Sequence, residues 1–338
     1  MQSINALSLA PDARDWLAYS RHPRILHVFD HACNLINERR EVLSIVTPQI
    51  GNGPFNLMIS ILWKSSGGFP DLDESRQTSE VSFSHLSLQS PVSNSANQLT
   101  LGDLTISTAD AKLWAPRPDW ERLHARREGI LNQLKLLQII AKHPFGTNYQ
   151  IRGGFPLRGL RDTPFDDHSG LPFDKLRTGL DYHKLPITLS LISNLSSALV
   201  NADISSAQTI TSQLAGLGQG LTPAGDDFIM GAVLAAWIIH PPEVASVLAE
   251  EITKTAAPLT TSLSAAWLRS AGRGEAGILW HNFFDALILA DPVRVQESMD
   301  KILAVGETSG ADALMGFFCV FMSWAETFRR DLLPKAIR

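Results

Sequence analysis

The sequence predicts an α+β fold, in which a β-rich N-terminal domain is followed by a mostly α-helical C-terminal domain. Apolar residues alternate in short runs before Trp114, which is typical of strands with one buried face. After Pro118 they recur at helical spacing. With 338 residues, of which 44% are hydrophobic and 19% charged, the chain is large enough for two globular domains. We therefore assign residues 1–115 to the first domain and residues 116–338 to the second.

The first domain contains short runs of β-type residues between turn signals such as Gly51-Asn52-Gly53-Pro54. A helix is expected at residues 23–38, because apolar residues recur there at helical spacing. The predicted strands are residues 42–47, 55–63, 81–86 and 99–107.

The second domain begins with a long helix, for which Asp119 is the predicted N-cap and His143-Pro144 the predicted end. Nearly everything from Leu189 to the C-terminus is predicted to be helical. Between these segments, residues 153–186 are rich in Gly, Pro, Asp and Arg and lack clear periodicity, so we interpret them as an insertion.

Charge and hydropathy exclude several classes of function. Lys and Arg total 29 against 34 for Asp and Glu, so the basic excess typical of nucleic-acid binders is absent. The longest apolar stretches, residues 228–239 and 314–325, are shorter than the roughly 20 residues that a membrane span needs. Two cysteines form neither a disulfide framework nor, alone, a zinc site. With no secretory signal visible, we expect a cytoplasmic protein without nucleic-acid or membrane partners.

The most informative segment is the first loop, which we define as residues 216–227 with the sequence GLGQGLTPAGDD. Its glycines let a ligand approach the main chain closely, and free amides at the start of the apolar helix that follows favour an anion. Its candidate ligand-binding residues are Gly218, Gly220, Thr222 and Gly225. The alternative is a glycine-rich turn with a strong helix cap, in which Thr222, Asp226 and Asp227 stand where an N-cap is wanted.

The first loop has an echo in the second loop, which we define as residues 306–312 with the sequence GETSGAD. The aligned pairs are Thr222 with Thr308, Gly225 with Gly310, and Asp227 with Asp312. Both copies open a long apolar helix, so we expect the loops to converge and to place Asp227 and Asp312 on one cavity. The alternative is a repeated packing device, in which Gly231 and Gly316 let the two helices approach closely.

A third cluster follows the hydroxyl-rich segment 260–264. Arg269 and Arg273 are four residues apart on one predicted helix face, which suits the binding of an anion and equally suits a solvated face. His27 and His31 have the same spacing, but no third ligand accompanies them. We therefore assign no metal and identify no cofactor.

The two loops resemble the motifs of the AllH family, and residues 43–56 are similar to an early turn of that family. By inspection the resemblance extends from about residue 27 to residue 324, apart from residues 153–186. It implies a subunit of an oxamate carbamoyltransferase, which acts in anaerobic allantoin and purine breakdown beside FdrA-like and AllG-like companion subunits. That reaction moves a carbamoyl group between oxalurate or oxamate and phosphate.

Roles in such a site follow only from chemical type. Carbamoyl transfer passes through an oxyanion, which needs preorganised hydrogen-bond donors. The carbamoyl group also has an amide nitrogen, which a carboxylate can bind. The candidate catalytic residues are Asp226, Asp227 and Asp312. The candidate ligand-binding residues are Gly218, Gly220, Thr222, Gly225, Thr308, Ser309, Gly310, Arg269 and Arg273. Two alternatives stay open: a non-catalytic structural subunit that docks partner proteins, and a stand-alone enzyme acting on another small amide or carboxylate.

Overall fold

The computed structural model describes residues 2–59, 83, 86–140 and 185–332. The chain divides into two compact units, Met1–Pro116 with Ala276–Ile278, and Arg117–Glu275 with Leu279–Arg338. The first unit is rich in strands and the second is helical, so the predicted α+β fold is confirmed. The predicted insertion at residues 153–186 lies outside the described residues, except for its last two, which belong to a helix.

The described part of the first unit forms a nine-stranded mixed sheet, with one helix, α1 (Pro11–Tyr19). The strands are β1 (Gln2–Leu9), β2 (Arg24–Val28), β3 (Ala32–Ile36), β4 (Val42–Val46), β5 (Asn56–Ile59), β6 (Val92–Ser95), β7 (Gln98–Leu101), β8 (Leu104–Ser107) and β9 (Lys112–Leu113). Their order is β2-β3-β4-β5-β1-β8-β7-β6, and β9 pairs with β1. The sheet is thus centred on β1, which is antiparallel to β5 and parallel to β8.

The helix predicted at residues 23–38 is wrong, because this segment is the antiparallel hairpin of β2 and β3. β3 also pairs along its whole length with β4, and the Ser44 hydroxyl donates to Asn34 Oδ1 at 2.6 Å. Cys33 and Leu35 are fully buried by this pairing. The apolar residues of this segment also fit a helical spacing, so the sequence pattern does not distinguish a helix from a hairpin. The pairing with β4, which lies outside the segment, decides the structure.

The strand predictions fare better. Residues 42–47 are confirmed as β4, and residues 99–107 are two strands, β7 and β8, joined by a turn at Gly102. The predicted strand at residues 55–63 contains β5, but residues 60–63 lie outside the described residues. Most of the predicted strand at residues 81–86 lies outside them as well. Neither β1 nor α1 was predicted, because the buried positions of β1 include small side chains that give a weak apolar signal.

The described part of the second unit consists of helices. They are α2 (Trp120–Ala125), α3 (Arg127–Ile140), α4 (Leu185–Val200), α5 (Ile204–Leu214), α6 (Ala224–Ile239), α7 (Pro242–Ala256), α8 (Ser262–Gly272), α9 (Ile278–Leu289), α10 (Pro292–Leu303) and α11 (Ser309–Leu332). Asp119 is confirmed as an N-cap and accepts from the Arg122 amide at 3.0 Å. The single long helix predicted after Asp119 is instead two helices, because the helix is interrupted at Arg126.

An internal duplication underlies this unit. The run α4-α5-first loop-α6 has the same plan as the run α9-α10-second loop-α11. At the first junction of each run an alanine takes a positive φ, 52° at Ala202 and 59° at Ala290, which is uncommon for a residue other than glycine. The next residue, Asp203 or Asp291, caps the following helix with its carboxylate. The echo between the two loops therefore belongs to a longer structural repeat.

The two repeats meet through their last helices, α6 and α11. A Cβ added to Gly231 would lie 1.8 Å from the Ala313 carbonyl oxygen, and one added to Gly316 would lie 2.0 Å from the Phe228 carbonyl oxygen. The contacts are reciprocal, since each glycine receives the main chain of the other helix. Glycine at both positions is therefore needed for the main chains to approach so closely.

We expect Gly231→Ala and Gly316→Ala each to lower the free energy of unfolding by about 3 kcal/mol or more, because backbone atoms must move to admit the methyl group. Denaturant unfolding measures the effect. The matched control is Gly129→Ala in α3, where a Cβ would meet nothing within 4 Å. Alanine there should stabilise the helix by about 0.5–1 kcal/mol. Equal effects at all three glycines would contradict the close approach.

Candidate functional site

The start of α6 does not present free amides to a ligand at its first three positions after Ala224. The Gly225 amide donates to the Leu217 carbonyl at 2.8 Å, and the amides of Asp226 and Asp227 donate to the Pro223 carbonyl at 2.9 and 3.1 Å. Pro223 is the N-cap residue and has no side-chain cap. The expectation of free amides at this helix start is therefore wrong at these positions, because the loop closes on its own main chain. The alternative, a cap by Thr222, Asp226 or Asp227, is wrong as well.

Asp226 holds the first loop against the beginning of α8. Its side chain is 1% exposed, and Oδ1 accepts from the Gly216 amide at 2.8 Å. Oδ2 accepts from the Ser264 hydroxyl at 2.8 Å and from the Thr260 hydroxyl. Burial raises the pKa of Asp226, and these three hydrogen bonds oppose the shift. This carboxylate is satisfied within the protein, so its geometry is that of an anchor.

Asp227 has a different environment. Its side chain is 7% exposed, and its buried Oδ2 atom has no hydrogen-bond partner among the described residues. The pKa of Asp227 is raised to about 8: burial is the largest cause, the charges of Asp312 and Asp226 add to it, and the hydroxyls of Ser309 and Thr222 oppose it. A pKa raised in this way favours the neutral carboxylic acid, which has one O–H donor and one carbonyl acceptor.

The two loops come together at the starts of α6 and α11. The hydroxyl oxygens of Thr222 and Ser309 lie 2.8 Å apart in a hydrogen bond that joins the first loop to the second. Asp312, in the first turn of α11, is 1% exposed and close enough to Asp227 for its charge to raise the pKa of Asp227. The structure thus brings together the pair that the sequence echo aligned.

The remaining residues of the loops divide into packed and exposed positions. Gly225 and Gly310 are packed: an added Cβ would lie 2.1 Å from the Leu214 carbonyl oxygen in one case and 1.8 Å from the Ile302 carbonyl oxygen in the other. The Thr308 carbonyl accepts from the Asp312 amide at 2.9 Å. Gly218 and Gly220 are exposed and have positive φ angles of 119° and 96°. Gly306 of the second loop is exposed as well, with a φ of 62°.

Arg269 and Arg273 do not join this cluster. They line a separate opening of about 700 Å³, which we call the basic cleft, and none of its lining residues comes from either loop. The residues of the basic cleft that matter below are Arg117, Trp237, Glu250, Thr253, Lys254, Arg269, Gly272, Arg273 and Glu275. Sequence reasoning missed Arg117 and Lys254, because no local spacing brings them near the two arginines of α8.

Three other features bear on chemistry. Among the described residues, no three His, Cys, Asp or Glu side chains form a group able to hold a metal ion. No helix in the described ranges is both long and apolar enough to cross a bilayer. Cys33 and Cys319 are buried free thiols, and burial raises the pKa of each to about 12. Neither thiol is thereby available as a thiolate nucleophile at neutral pH.

The raised pKa of Asp227 predicts a pH-dependent stability. Below about pH 4 the residue is protonated in both the folded and unfolded states, and between about pH 4 and pH 8 only the unfolded state loses its proton. The contribution of Asp227 to the free energy of unfolding therefore falls as the pH rises through that window. Asp227→Asn removes this loss, so the variant should gain stability relative to the parent between about pH 5 and pH 8, by at most about 1.4 kcal/mol per unit.

Chemical denaturation at both pH values measures this gain. The control is Asp203→Asn, at an exposed N-cap whose carboxylate has a pKa lowered by the hydrogen bonds of Ser206. Its difference from the parent should stay constant over the window, because both states are ionised there. An Asp227→Asn curve parallel to the parent would contradict a protonated Asp227.

A comparison with protein families bears on the same region. The family model described as oxamate carbamoyltransferase subunit AllH matches residues 214–321, which contain both loops and the helices between them. No solved structure matches the chain. The resemblance to the AllH family that the loop sequences predict is confirmed over residues 214–321.

Proposed function

We propose that the chain is a subunit of an oxamate carbamoyltransferase and that the converging loops bind the amide group of its substrate. The observation that carries the proposal is the meeting of the buried Asp227 and Asp312 across the two helix starts. The family match supports it, because the matched segment contains both loops. The proposed setting is anaerobic allantoin breakdown, with FdrA-like and AllG-like companion subunits.

A neutral carboxylic acid suits an amide ligand. The O–H group of Asp227 donates to a carbonyl oxygen, while its own carbonyl accepts from an amide N–H, so one side chain satisfies both edges of a carbamoyl group. When carbamoyl transfer places negative charge on that oxygen, the same O–H group is a preorganised donor. Asp312 supplies a second acceptor for the amide nitrogen. In this proposal Asp226 acts only through the position of the loop.

The anionic end of the ligand needs other donors, since the first-turn amides at Gly225, Asp226 and Asp227 are engaged within the chain. The exposed main chain at Gly218 and Gly220 is the part of the first loop that remains for a carboxylate. Positive φ angles at both residues keep this stretch free of bulky side chains.

A structural role is the second candidate. Gly225, Gly231, Gly310 and Gly316 all receive main-chain atoms at distances that no Cβ tolerates, so much of the repeated motif serves helix packing. A non-catalytic subunit that presents this rigid unit to partner proteins would need the glycines but not the acid pair. The two candidates therefore differ in what they require of Asp227 and Asp312.

The test uses the chain assembled with its companion subunits. Asp227→Ala and Asp312→Ala should each preserve assembly and lower carbamoyl transfer between oxamate and phosphate by about 100-fold or more, because alanine lacks the donor and acceptor atoms that asparagine would retain. Asp203→Asn is the matched control, because it changes an exposed helix-start aspartate in the same repeat and asparagine caps nearly as well. Its activity should equal that of the parent.

The outcomes separate the two candidates. If both acid-pair variants assemble and turn over like the parent, the proposed amide site is wrong and the structural candidate is favoured. If Asp227→Ala loses turnover while calorimetric titration still shows oxamate binding, the residue acts on the transition state rather than on the bound ligand.

A further inference from the structure

We propose that the basic cleft is a second binding site, which takes the phosphoryl group of a small phosphorylated molecule. The cleft lies within the second unit, between α7, α8 and the segment before α2, and its volume is about 700 Å³. That volume lies within the range of small-molecule sites and exceeds what a free phosphate needs. Its cationic residues come from separate parts of the chain: Arg117, Lys254, Arg269 and Arg273.

Arg117 is held in place before any ligand arrives. Its guanidinium lies 4.8 Å from the centre of the Trp237 ring, and its Nη1 donates to the Arg273 carbonyl at 2.9 Å. Stacking on an aromatic face and one hydrogen bond orient the planar group and leave most of its N–H donors for a ligand. The entropy cost of fixing this arginine on binding is therefore already met in the free protein.

The arginines of α8 complete the donor set. Arg273 is oriented by Glu275, whose Oε2 accepts from Nη2 at 2.6 Å and from Nε at 3.1 Å. Arg269 is one helical turn earlier and is exposed. A guanidinium presents a fork of donors that matches two phosphoryl oxygens. Because Glu275 accepts from two nitrogens of Arg273, we assign this role to Arg269, and Arg273 contributes its charge.

The charge balance of the cleft favours an anion. Its four cations face three carboxylates, Glu275 beside Arg273, and Glu250 and Glu251, which lie 2.8 and 3.3 Å from Lys254 Nζ. The Lys254 pair is solvent-exposed, so it contributes little energy and yields its ammonium readily to a phosphoryl oxygen. The cleft thus keeps a positive charge in excess, which favours an anionic ligand.

The floor of the cleft keeps these groups at a fixed spacing. A Cβ added to Gly272 would lie 2.2 Å from Thr253 Oγ1, so α7 and α8 are in close contact at this point. Lys254 directly follows Thr253, and Arg269 and Arg273 flank Gly272. The close contact therefore sets the separation between the ammonium of α7 and the guanidinium groups of α8.

Isothermal titration of the full-length chain tests the site with three phosphoryl probes, namely inorganic phosphate, carbamoyl phosphate and adenosine monophosphate. At low salt at least one organic phosphate should bind, and Arg269→Gln should weaken it about tenfold or more, because a charged hydrogen bond is lost. Raising the salt should weaken binding in the parent. Arg294→Gln is the matched control, since Arg294 is also exposed on a helix but lies outside the cleft.

Absence of binding by all three probes, or equal affinities in the parent and Arg269→Gln, would overturn the proposal. Comparing the affinities of the probes shows which part of the ligand is recognised. Inorganic phosphate binds as tightly as the organic phosphates if the phosphoryl dianion suffices, whereas the organic phosphates bind more tightly if the rest of the cleft contributes. The proposed amide site is tested separately, because Asp227→Asn should leave phosphate and adenosine monophosphate binding unchanged. Failure of either proposal is thus visible without the other.

Discussion

The close approach of α6 and α11 is the constraint on which the rest of the second unit depends. Gly231 and Gly316 receive each other's main-chain neighbours at distances that exclude any side chain. α6 is buried on all sides except at Met230, so it is a central helix with no solvated face. With the two axes held together at these glycines, the first turns of the helices must lie side by side.

That arrangement brings like charges together, because equivalent positions of a repeated structural plan meet. Two copies of one helix-loop-helix plan, each with an aspartate in the first turn of its last helix, pack so that equivalent positions meet. Two buried carboxylates at such a place cannot both be ionised without a large electrostatic cost. Burial is the main cause of the raised pKa of Asp227, and the charge of Asp312 adds to it. The buried Oδ2 atom of Asp227 has no hydrogen-bond partner among the described residues, and a ligand with an N–H group would satisfy it.

Sequence reasoning succeeded where local pattern and structure coincide. The echo between Thr222 and Thr308 and between Asp227 and Asp312 predicted the convergence, because a repeated motif implies a repeated local structure. It failed at residues 23–38, where one apolar pattern fits both a helix and a hairpin and the pairing with β4 decides. It also placed Arg269 and Arg273 with the loops, since their association with Arg117 depends on tertiary structure that no spacing encodes.

Because Arg269 and Arg273 lie apart from the loops, the candidate binding groups of the helical unit form two sets. A helix start is ordinarily a good anion site, yet here the first-turn amides are engaged by Leu217 and Pro223, and the nearby side chains are acids. The acid pair suits an uncharged amide, while the groups that suit an anion are gathered in the basic cleft around Arg117 and Arg269. The proposed amide site and the proposed phosphoryl site therefore differ in electrostatic character, and no single glycine-rich loop has to serve both kinds of group.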